Sequence, residues 1–263
     1  MSLVVQKYGG SSLATPELIK SVAARIRSAH DSEGNVVATV SAMGDSTDKL
    51  LSIASKVSEM PDLRELDVLL STGELQSCAL VAMALKSMGK RAVSLSGAQA
   101  GIRTDSSYGK AKIAGIDTGR INEELEKGNI VIVAGFQGVT GDSDITTLGR
   151  GASDLTAVAL AAGLNADRCE IYTDVEGIYT ADPRLVSDAR KMTQVGFEEM
   201  LELASYGAKM NPRSIELGMV YQVPILVASS FNNEPGTLIH DGDNMDNTVG
   251  EIRNRVRGIA TDK

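Results

Sequence analysis

The alternation of short apolar runs with helical patterns most constrains the fold of this chain. The runs are rich in β-branched residues and span 3–7, 36–41, 92–96, 130–135, 169–173 and 224–229. Several are apolar at consecutive positions, which is typical of strands covered on both faces. Helical patterns lie between them, near residues 16–30, 47–59, 74–88, 153–163, 197–206 and 212–222. This repeated order predicts an α/β fold, a three-layer αβα sandwich with a mostly parallel central sheet.

The first of these helices has a clear start. Thr15 suits the N-cap position, and Pro16 suits the first helical position. Apolar residues follow at helical spacing, namely Leu18, Ile19, Val22, Ala23 and Ile26. We therefore expect this stripe to pack on one face of the sheet.

The charge balance excludes some classes of function. With 26 Lys and Arg against 34 Asp and Glu, the net charge of −8 argues against broad nucleic-acid binding. A single phosphorylated ligand needs only a local positive site and stays possible. No apolar run in the sequence approaches the ~20 residues that span a bilayer, and the N-terminus lacks a signal-peptide pattern. We therefore expect no membrane segment and a cytoplasmic location.

The few cysteines and histidines restrict the chemistry further. Cys78 and Cys169 lie outside any CxxC pattern, so we expect packed thiols in a reducing compartment. His30 and His240 are in neither a metal-ligand nor a triad context. The sequence therefore argues against a zinc site or a Ser/His/Asp hydrolase.

Polar loops should follow the strands, where ligands bind in parallel sheets. In "KYGGSS", Lys7 ends a strand and Gly9, Gly10 and Ser11 follow. Glycines let the backbone approach an anion, and Lys7 could neutralise a phosphoryl group. The alternative is an ordinary turn with a solvated lysine.

A second candidate is "TTLGRGASD", residues 146–154, which opens an almost wholly apolar helix. A buried helix would direct its positive N-terminal end into a cleft. We expect Ser153 to be the N-cap, and Asp154 in the first turn is also a common stabilising placement. Arg150 could bind a carboxylate through two hydrogen bonds.

The remaining candidates lie in other loops. Thr173 and Asp174 end a strand, and Tyr179 and Arg184 in the same long loop could contact a nucleobase and phosphates; a plain loop is the alternative. The last group comprises Ser41 at a strand end, Thr47 at a helix start, Glu74 and Lys209. Glu74 is expected to head a helix, either capping it or binding an ammonium group, and Lys209 is a second phosphate lysine or a solvated one.

Seven motifs in order resemble those of the aspartate kinases, which belong to the amino-acid kinase family. They are "VQKYGGSS", "SAMGDSTDKLL", "STGE", "GFQGVTG", "TTLGRGASD", "EIYTDVEGIYTADPR" and "FEEMLELASYGAK". The resemblance covers residues 3 to about 240. It implies ATP-dependent phosphorylation of the β-carboxylate of L-aspartate to 4-phospho-L-aspartate, the first step toward lysine, threonine and methionine.

The resemblance also implies a role for each matching residue. Lys7 would contact the transferring phosphoryl group, Asp154 would orient the lysines, and Lys209 would be a second cation. The nucleotide would be held by Lys7, Gly9, Gly10, Ser11, Ser41, Thr173, Asp174, Tyr179, Arg184 and Lys209. Aspartate and the transfer site would be surrounded by Thr47, Glu74, Arg150, Gly151, Ser153 and Asp154. Mg²⁺ would be held mainly by ATP phosphates, with no dedicated metal site, and the intact enzyme would be a homodimer or larger assembly.

The same resemblance predicts the organisation of the chain. Residues 1–250 would form the catalytic domain, its N-terminal part mainly binding aspartate and its C-terminal part mainly ATP. Residues 251–263 would be the start of a truncated ACT regulatory region. Two departures are Ala152, where the family commonly has glycine, and "GAKMNPR", which is one residue shorter than usual and lacks a histidine. We expect that position 152 does not require a positive φ.

Other functions stay open from the sequence. Kinases of glutamate, acetylglutamate, carbamate or UMP share the expected fold. A non-catalytic nucleotide-binding module is an alternative of another class. The presence of Lys7, Asp154 and Lys209 together favours catalysis.

Overall fold

The computed structural model describes residues 2–205 and 210–241. Lys209 and the expected regulatory segment, residues 251–263, lie outside these ranges. Within them the strands are β1 (Ser2–Tyr8), β2 (Gly34–Val40), β3 (Ala92–Leu95), β4 (Ile102–Thr104), β5 (Ile113–Ile116), β6 (Ile130–Ala134), β7 (Gln137–Val139), β8 (Ile145–Thr147), β9 (Arg168–Thr173), β10 (Gln194–Gly196), β11 (Ile225–Ser229) and β12 (Thr237–His240). The helices are α1 (Pro16–Glu33), α2 (Ser46–Val57), α3 (Leu63–Ser87), α4 (Gly119–Glu126), α5 (Ser153–Leu164), α6 (Phe197–Ser205) and α7 (Pro212–Tyr221).

An eight-stranded sheet forms the centre, in the order β10-β12-β11-β9-β1-β2-β6-β3. The six strands from β11 to β3 run parallel, whereas β12 is antiparallel to β11 and β10 follows the direction of β12. The expectation of a mostly parallel sheet is therefore confirmed. Because these six strands point the same way, the loops after β1, β2, β6 and β9 meet at one edge.

Helices cover both faces of the sheet, so the αβα sandwich is also confirmed. On one face, α1 and α3 bury Ile26 and Leu85 against Val36 and Ala38 of β2. On the other face, α5 buries Leu160 in a cluster with alternate residues of the same strands. Consecutive apolar residues along β2 thus point into two different cores, as the sequence pattern indicated.

The start of α1 agrees with the sequence. The Thr15 hydroxyl oxygen accepts a hydrogen bond from the Leu18 N–H at 3.3 Å, and Pro16 is the first helical residue. The face toward the sheet is formed by the buried side chains of Ile19, Val22, Ala23 and Ile26.

A second, four-stranded sheet in the order β5-β4-β7-β8 was not predicted. Its strands are only three or four residues long, too short for a periodic signal. Asp67 of α3 fixes this small sheet, since its carboxylate accepts the Thr147 N–H at 2.8 Å, the Thr147 hydroxyl at 2.6 Å and the Gly109 N–H at 2.9 Å.

Helix α3 begins eleven residues before the predicted start near 74, so that prediction is wrong. Asp62 is the N-cap, and its carboxylate accepts the N–H groups of Arg64 and Glu65. The Ser71 and Thr72 hydroxyls donate to carbonyls one turn earlier in the same helix. "STG" therefore lies inside a helix, because tertiary packing overrides its local preference for a turn.

Helix α3 is also the one described helix that is long and apolar enough to cross a bilayer by length and composition. This is weak support for a membrane span, because core helices of globular proteins pass the same test. Half of its most apolar window is buried within the molecule. The helix also carries the buried carboxylates of Asp67 and Glu74.

Candidate active site

Lys7 and Asp154 form an ion pair at the edge where the parallel strands end. Lys7 lies near the end of β1, next to Thr39 in β2 and Ile171 in β9. Its Nζ is 2.7 Å from Asp154 Oδ1, and the two side chains are only 12% and 13% exposed. A pair this sheltered from water holds the ammonium group in a fixed position. Lys7 is therefore not the solvated lysine of the alternative interpretation.

The N-terminus of α5 lies beside this pair. The helix begins at Ser153, so the N-cap is Ala152 and the expectation that Ser153 caps the helix is wrong. Within the described part of the chain the N-cap makes no side-chain hydrogen bond to the first turn, and Ala152 has a φ of −83°. Alanine is thus unstrained there, as expected. The uncapped N–H groups and the helix dipole favour an anion at this end.

Glycines bring the loop after β1 into contact with the loop after β2. The Gly44 N–H donates to the Gly10 carbonyl oxygen at 3.0 Å, and the Ser41 N–H donates to the Tyr8 carbonyl oxygen at 3.1 Å. Ser11 is exposed. The neighbouring Ser12 hydroxyl donates to the Ser230 hydroxyl oxygen at 2.7 Å, which ties this loop to the end of β11.

We expect Gly10→Ala to lower kcat and to destabilise the fold by about 1–3 kcal/mol. An ideal Cβ on Gly10 would lie 2.8 Å from the Ala42 carbonyl oxygen and 3.1 Å from that of Gly44, so one of the two loops must move. Thermal unfolding and kinase assays measure both effects. Gly141→Ala is the matched control, because a Cβ there meets nothing within 4 Å. Equal behaviour of the two variants would contradict the importance of this contact.

Glu74 lies in the middle of α3, not at its start, so capping does not explain it. Its side chain is 3% exposed, and Oε1 accepts the Ala42 N–H at 3.1 Å. Within the described part of the chain, Oε2 has no hydrogen-bond partner. Burial raises the pKa of this carboxyl to about 7. A cation bound next to the loop after β2 would therefore stabilise the ionised form of this buried carboxyl.

Arg150 lies at the outer rim of the site. Its guanidinium makes an exposed ion pair with Asp48 at 2.7 Å, which brings the loop before α5 to the first turn of α2, where Thr47 lies. The next residue in that loop, Gly151, accepts a hydrogen bond from the Asn211 side-chain amide at 3.3 Å. Residues from α2, α5 and the start of α7 thus surround the same loop.

The structure separates the residues of the loop after β9 into two groups. Thr173 is close to the loop after β1, because its carbonyl oxygen accepts the N–H of Ser230 at 2.9 Å and the Ser230 hydroxyl is bonded to Ser12 of that loop. The Thr173 hydroxyl donates to Asp174 at 3.0 Å. Tyr179 and Arg184 instead make side-chain bonds within their own loop. The Tyr179 hydroxyl donates to Glu176 at 3.3 Å, and Arg184 donates two hydrogen bonds to Asp182.

Sequence reasoning gave no role to Thr39, and it gave no individual role to Gly135 and Phe136, which lie in the motif "GFQGVTG". Thr39 is fully buried beside Lys7, and its hydroxyl oxygen has no hydrogen-bond partner among the described residues. Gly135 and Phe136 follow β6 at the same edge, and Phe136 has a φ of +66°. Position at or just beyond a strand end was a sequence signal for all three, and the motif was a second signal for Gly135 and Phe136.

Other groups take no part in this cluster. Both cysteines are buried without a disulfide, and burial raises the pKa of Cys78 to about 12 and that of Cys169 further. Their thiols are therefore packed and unreactive, as expected. Among residues 2–205 and 210–241, no three His, Cys, Asp or Glu side chains are grouped closely enough to hold a metal ion.

Comparison with known proteins shows that the chain is similar to aspartokinases. The aspartokinase of Corynebacterium glutamicum is 53% identical over 265 residues, covering all of this chain and 62% of the relative. The crystal structure of aspartate kinase from Synechocystis superposes with a TM-score of 0.82 at 47% identity, covering 91% of this chain and 40% of that one. Escherichia coli aspartokinase III in complex with aspartate and ADP gives a TM-score of 0.78 at 28% identity, covering 91% and 65%.

The chain therefore spans less than two thirds of the length of these relatives. The sequence pattern described as "Amino acid kinase family" matches residues 2–229. The three-layer architecture agrees with that match over most of the chain. On these findings, the chain belongs to the amino acid kinase family.

Proposed function

We propose that this chain transfers the γ-phosphoryl group of ATP to the β-carboxylate of L-aspartate, giving 4-phospho-L-aspartate and ADP. The observation that carries the proposal is the sheltered Lys7–Asp154 pair beside the uncapped start of α5. The choice of substrates is supported by the similarity to aspartokinases, one of which is described with aspartate and ADP bound.

The proposed reaction needs charge neutralisation and alignment rather than a base. The β-carboxylate is already ionised at neutral pH and attacks the γ-phosphorus, while the bond from phosphorus to the β–γ bridging oxygen breaks. Lys7 offsets the charge on the transferring group, and Asp154 holds its ammonium in place. The N–H groups of the first turn of α5 add a fixed positive field.

The amino-acid end of the substrate is assigned to Glu74 and Arg150. Ionised Glu74 receives the substrate ammonium through Oε2. Arg150 binds the α-carboxylate after releasing Asp48, a small loss because exposed ion pairs contribute only about 0–1 kcal/mol. We assign Thr47, Gly151 and Ser153 to the same part of the site, and Ser41 to the side that faces the nucleotide.

The nucleotide is assigned to the loops after β1 and β9. Gly9, Gly10 and Ser11 approach the phosphates, Thr173 and Asp174 lie next to them, and the outer part of the pocket is formed by Tyr179 and Arg184. Arg184 would exchange its exposed pair with Asp182 for phosphate oxygens. Mg²⁺ would be held mainly by ATP phosphates, where it would supply further charge neutralisation.

Several parts of the proposal extend beyond the described site. Lys209 is proposed as a second phosphate lysine, supported by Asn211, two residues later, which contacts the Gly151 carbonyl. We also propose a cytoplasmic enzyme whose intact form is a homodimer or larger assembly. The division into aspartate-binding and ATP-binding parts within residues 1–250, and an ACT segment from 251, stays a prediction.

A coupled ADP-release assay tests the proposed function. We expect turnover only with both L-aspartate and Mg²⁺, and kcat/KM for L-glutamate lower by about 10- to 200-fold, because one methylene group is worth that much in a shaped pocket. Acetylglutamate and UMP should give no turnover. Aspartate-independent ADP release, or equal turnover with glutamate, would reject the substrate assignment. ATP binding without any turnover would favour a non-catalytic nucleotide-binding module.

A further inference from the structure

Phe136 adopts a backbone conformation that is costly for its side chain. Its φ of +66° lies in the left-handed region, which costs an L-residue roughly 1–2 kcal/mol. The other non-glycine residues with positive φ in the described ranges are the polar Ser143, Asn165 and Gln222. Phe136 is the bulky exception, and it is 7% exposed. Such an outlier persists only where surrounding contacts enforce it.

Two hydrogen bonds and an apolar pocket enforce this conformation. The Phe136 N–H donates to Thr156 Oγ1 at 3.1 Å, and its carbonyl oxygen accepts the Leu148 N–H at 2.9 Å. The ring belongs to a buried cluster with Leu70, Ala111, Leu148, Ala152 and Leu155. Thr156 is fully buried, so its hydroxyl oxygen is the acceptor for this amide where water does not reach.

Thr156 connects this turn to the first turn of α5. Its hydroxyl donates to the Ala152 carbonyl oxygen at 3.1 Å while accepting from Phe136. The preceding residue, Gly135, lies directly against the helix start, because an ideal Cβ there would come within 2.8 Å of Ser153 Oγ and 3.0 Å of Thr39 Cγ2. A small shift of the turn would therefore move the wall that faces Ser153 and Asp154.

We propose that Thr156 is a positioning residue for the amino-acid substrate: through its hydrogen bond to Phe136 it holds the 135–136 turn against the start of α5. The proposal rests on the proposed function. Valine in place of Thr156 keeps the shape but leaves the Phe136 N–H buried without an acceptor. The turn then relaxes toward negative φ, and the spacing between Gly135 and Ser153 changes.

Steady-state kinetics of three variants test the proposal. For Thr156→Val we expect KM for aspartate to rise about tenfold, with kcat reduced less than about threefold and KM for ATP unchanged. Thr156→Ser keeps the hydroxyl and should stay within about twofold of wild type in all three constants. Thr104→Val is the matched control, because it removes a buried hydroxyl contact of 2.6 Å to Thr146 in the small sheet. A purely structural role would raise KM equally in Thr156→Val and Thr104→Val at equal loss of melting temperature, and would overturn the proposal.

Amide exchange at Phe136 separates this proposal from the proposed function. We expect the Phe136 N–H to exchange about tenfold faster in Thr156→Val than in wild type and Thr156→Ser. Unchanged exchange would overturn the proposal even if the KM values differ. If the wild-type chain neither binds nor phosphorylates aspartate, the proposed function fails and with it the substrate part of this proposal. The exchange rates then still decide whether Thr156 holds the turn.

Discussion

Lys7→Ala lowers kcat by about 10²- to 10⁴-fold in our expectation, the largest effect of any single substitution considered. The ammonium group is 2.7 Å from Asp154 and sheltered from water, so no solvent cation replaces it at a defined position. Because the role proposed for Lys7 is to offset charge on the transferring group in the transition state, kcat should fall more than KM for ATP rises. ADP release under saturating aspartate and ATP measures the change.

Two further variants separate lost catalysis from lost folding. Removing Lys7 leaves a largely buried carboxylate unpaired, which costs on the order of 1–3 kcal/mol. The double variant Lys7→Ala/Asp154→Asn should regain part of that stability and none of the activity. Lys127→Ala removes another lysine that is paired with a buried carboxylate, Glu124, at 3.1 Å and remote from the site. It should keep wild-type kcat. Unchanged activity in Lys7→Ala would reject the role proposed for this lysine.

Glu74→Gln should raise KM for aspartate by about 10²-fold, because a neutral amide cannot pair with the substrate ammonium in a buried place. The same substitution should stabilise the fold at pH 8, by an amount on the order of 2 kcal/mol, since wild type must ionise a buried carboxyl whose pKa is about 7. Opposite effects on affinity and stability distinguish a functional carboxylate from a structural one. Kinetics and urea unfolding at pH 8 measure them.

The contribution of Glu74 to the free energy of unfolding depends on pH with a definite sign. The native state holds the Glu74 proton more tightly than the unfolded state, so this stabilising contribution is complete below the unfolded pKa of about 4.5 and is lost as pH rises through about 7. Under the proposed assignment, aspartate binds the ionised form of Glu74, so its affinity should increase over the upper part of the same pH range. Below pH 7, binding should release a proton, which calorimetry in buffers of different ionisation enthalpy detects.

Glu124→Gln is a control for which the expected change in fold stability at pH 8 has the opposite sign. A hydrogen bond from Lys127 holds the pKa of Glu124 below its usual value. Its contribution to stability is therefore present above the unfolded pKa and is lost as pH falls, so its replacement should weaken the fold at pH 8. If Glu74→Gln also weakens the fold at pH 8, or leaves KM for aspartate unchanged, the assignment of Glu74 is wrong.

Much of the fold could be predicted from the sequence because its strongest signals are periodic. Strands such as 36–41 and 130–135 are apolar on both faces, and Thr15-Pro16 marks a helix start by its own chemistry. The position of Lys7 and the start of the helix bearing Asp154 came from the same patterns. Their pairing across 147 residues of sequence was implied by the family resemblance and not by these patterns, because a contact between side chains depends on tertiary structure.

The sequence predictions that were wrong concern features that are likewise set by tertiary structure. Glu74 was placed at a helix start because "STG" resembles a break, whereas packing continues α3 through it. Ser153 was expected to cap α5, but the helix begins at Ser153 itself, one residue earlier than a serine cap requires. The positive φ of Phe136 has no local signal either, since phenylalanine rarely adopts it and the contacts that enforce it, from Thr156, Leu148 and the buried cluster around the ring, are tertiary.

The uncapped start of α5 links ligand binding to folding. A side-chain cap would stabilise this helix end by about 1 kcal/mol, and the described residues supply none. An anion bound at Ser153 and Asp154 would satisfy the same N–H groups that a cap satisfies. The binding free energy of that anion would then also stabilise the first turn of α5 against fraying. A phosphate group that binds there would therefore take the place of the missing cap.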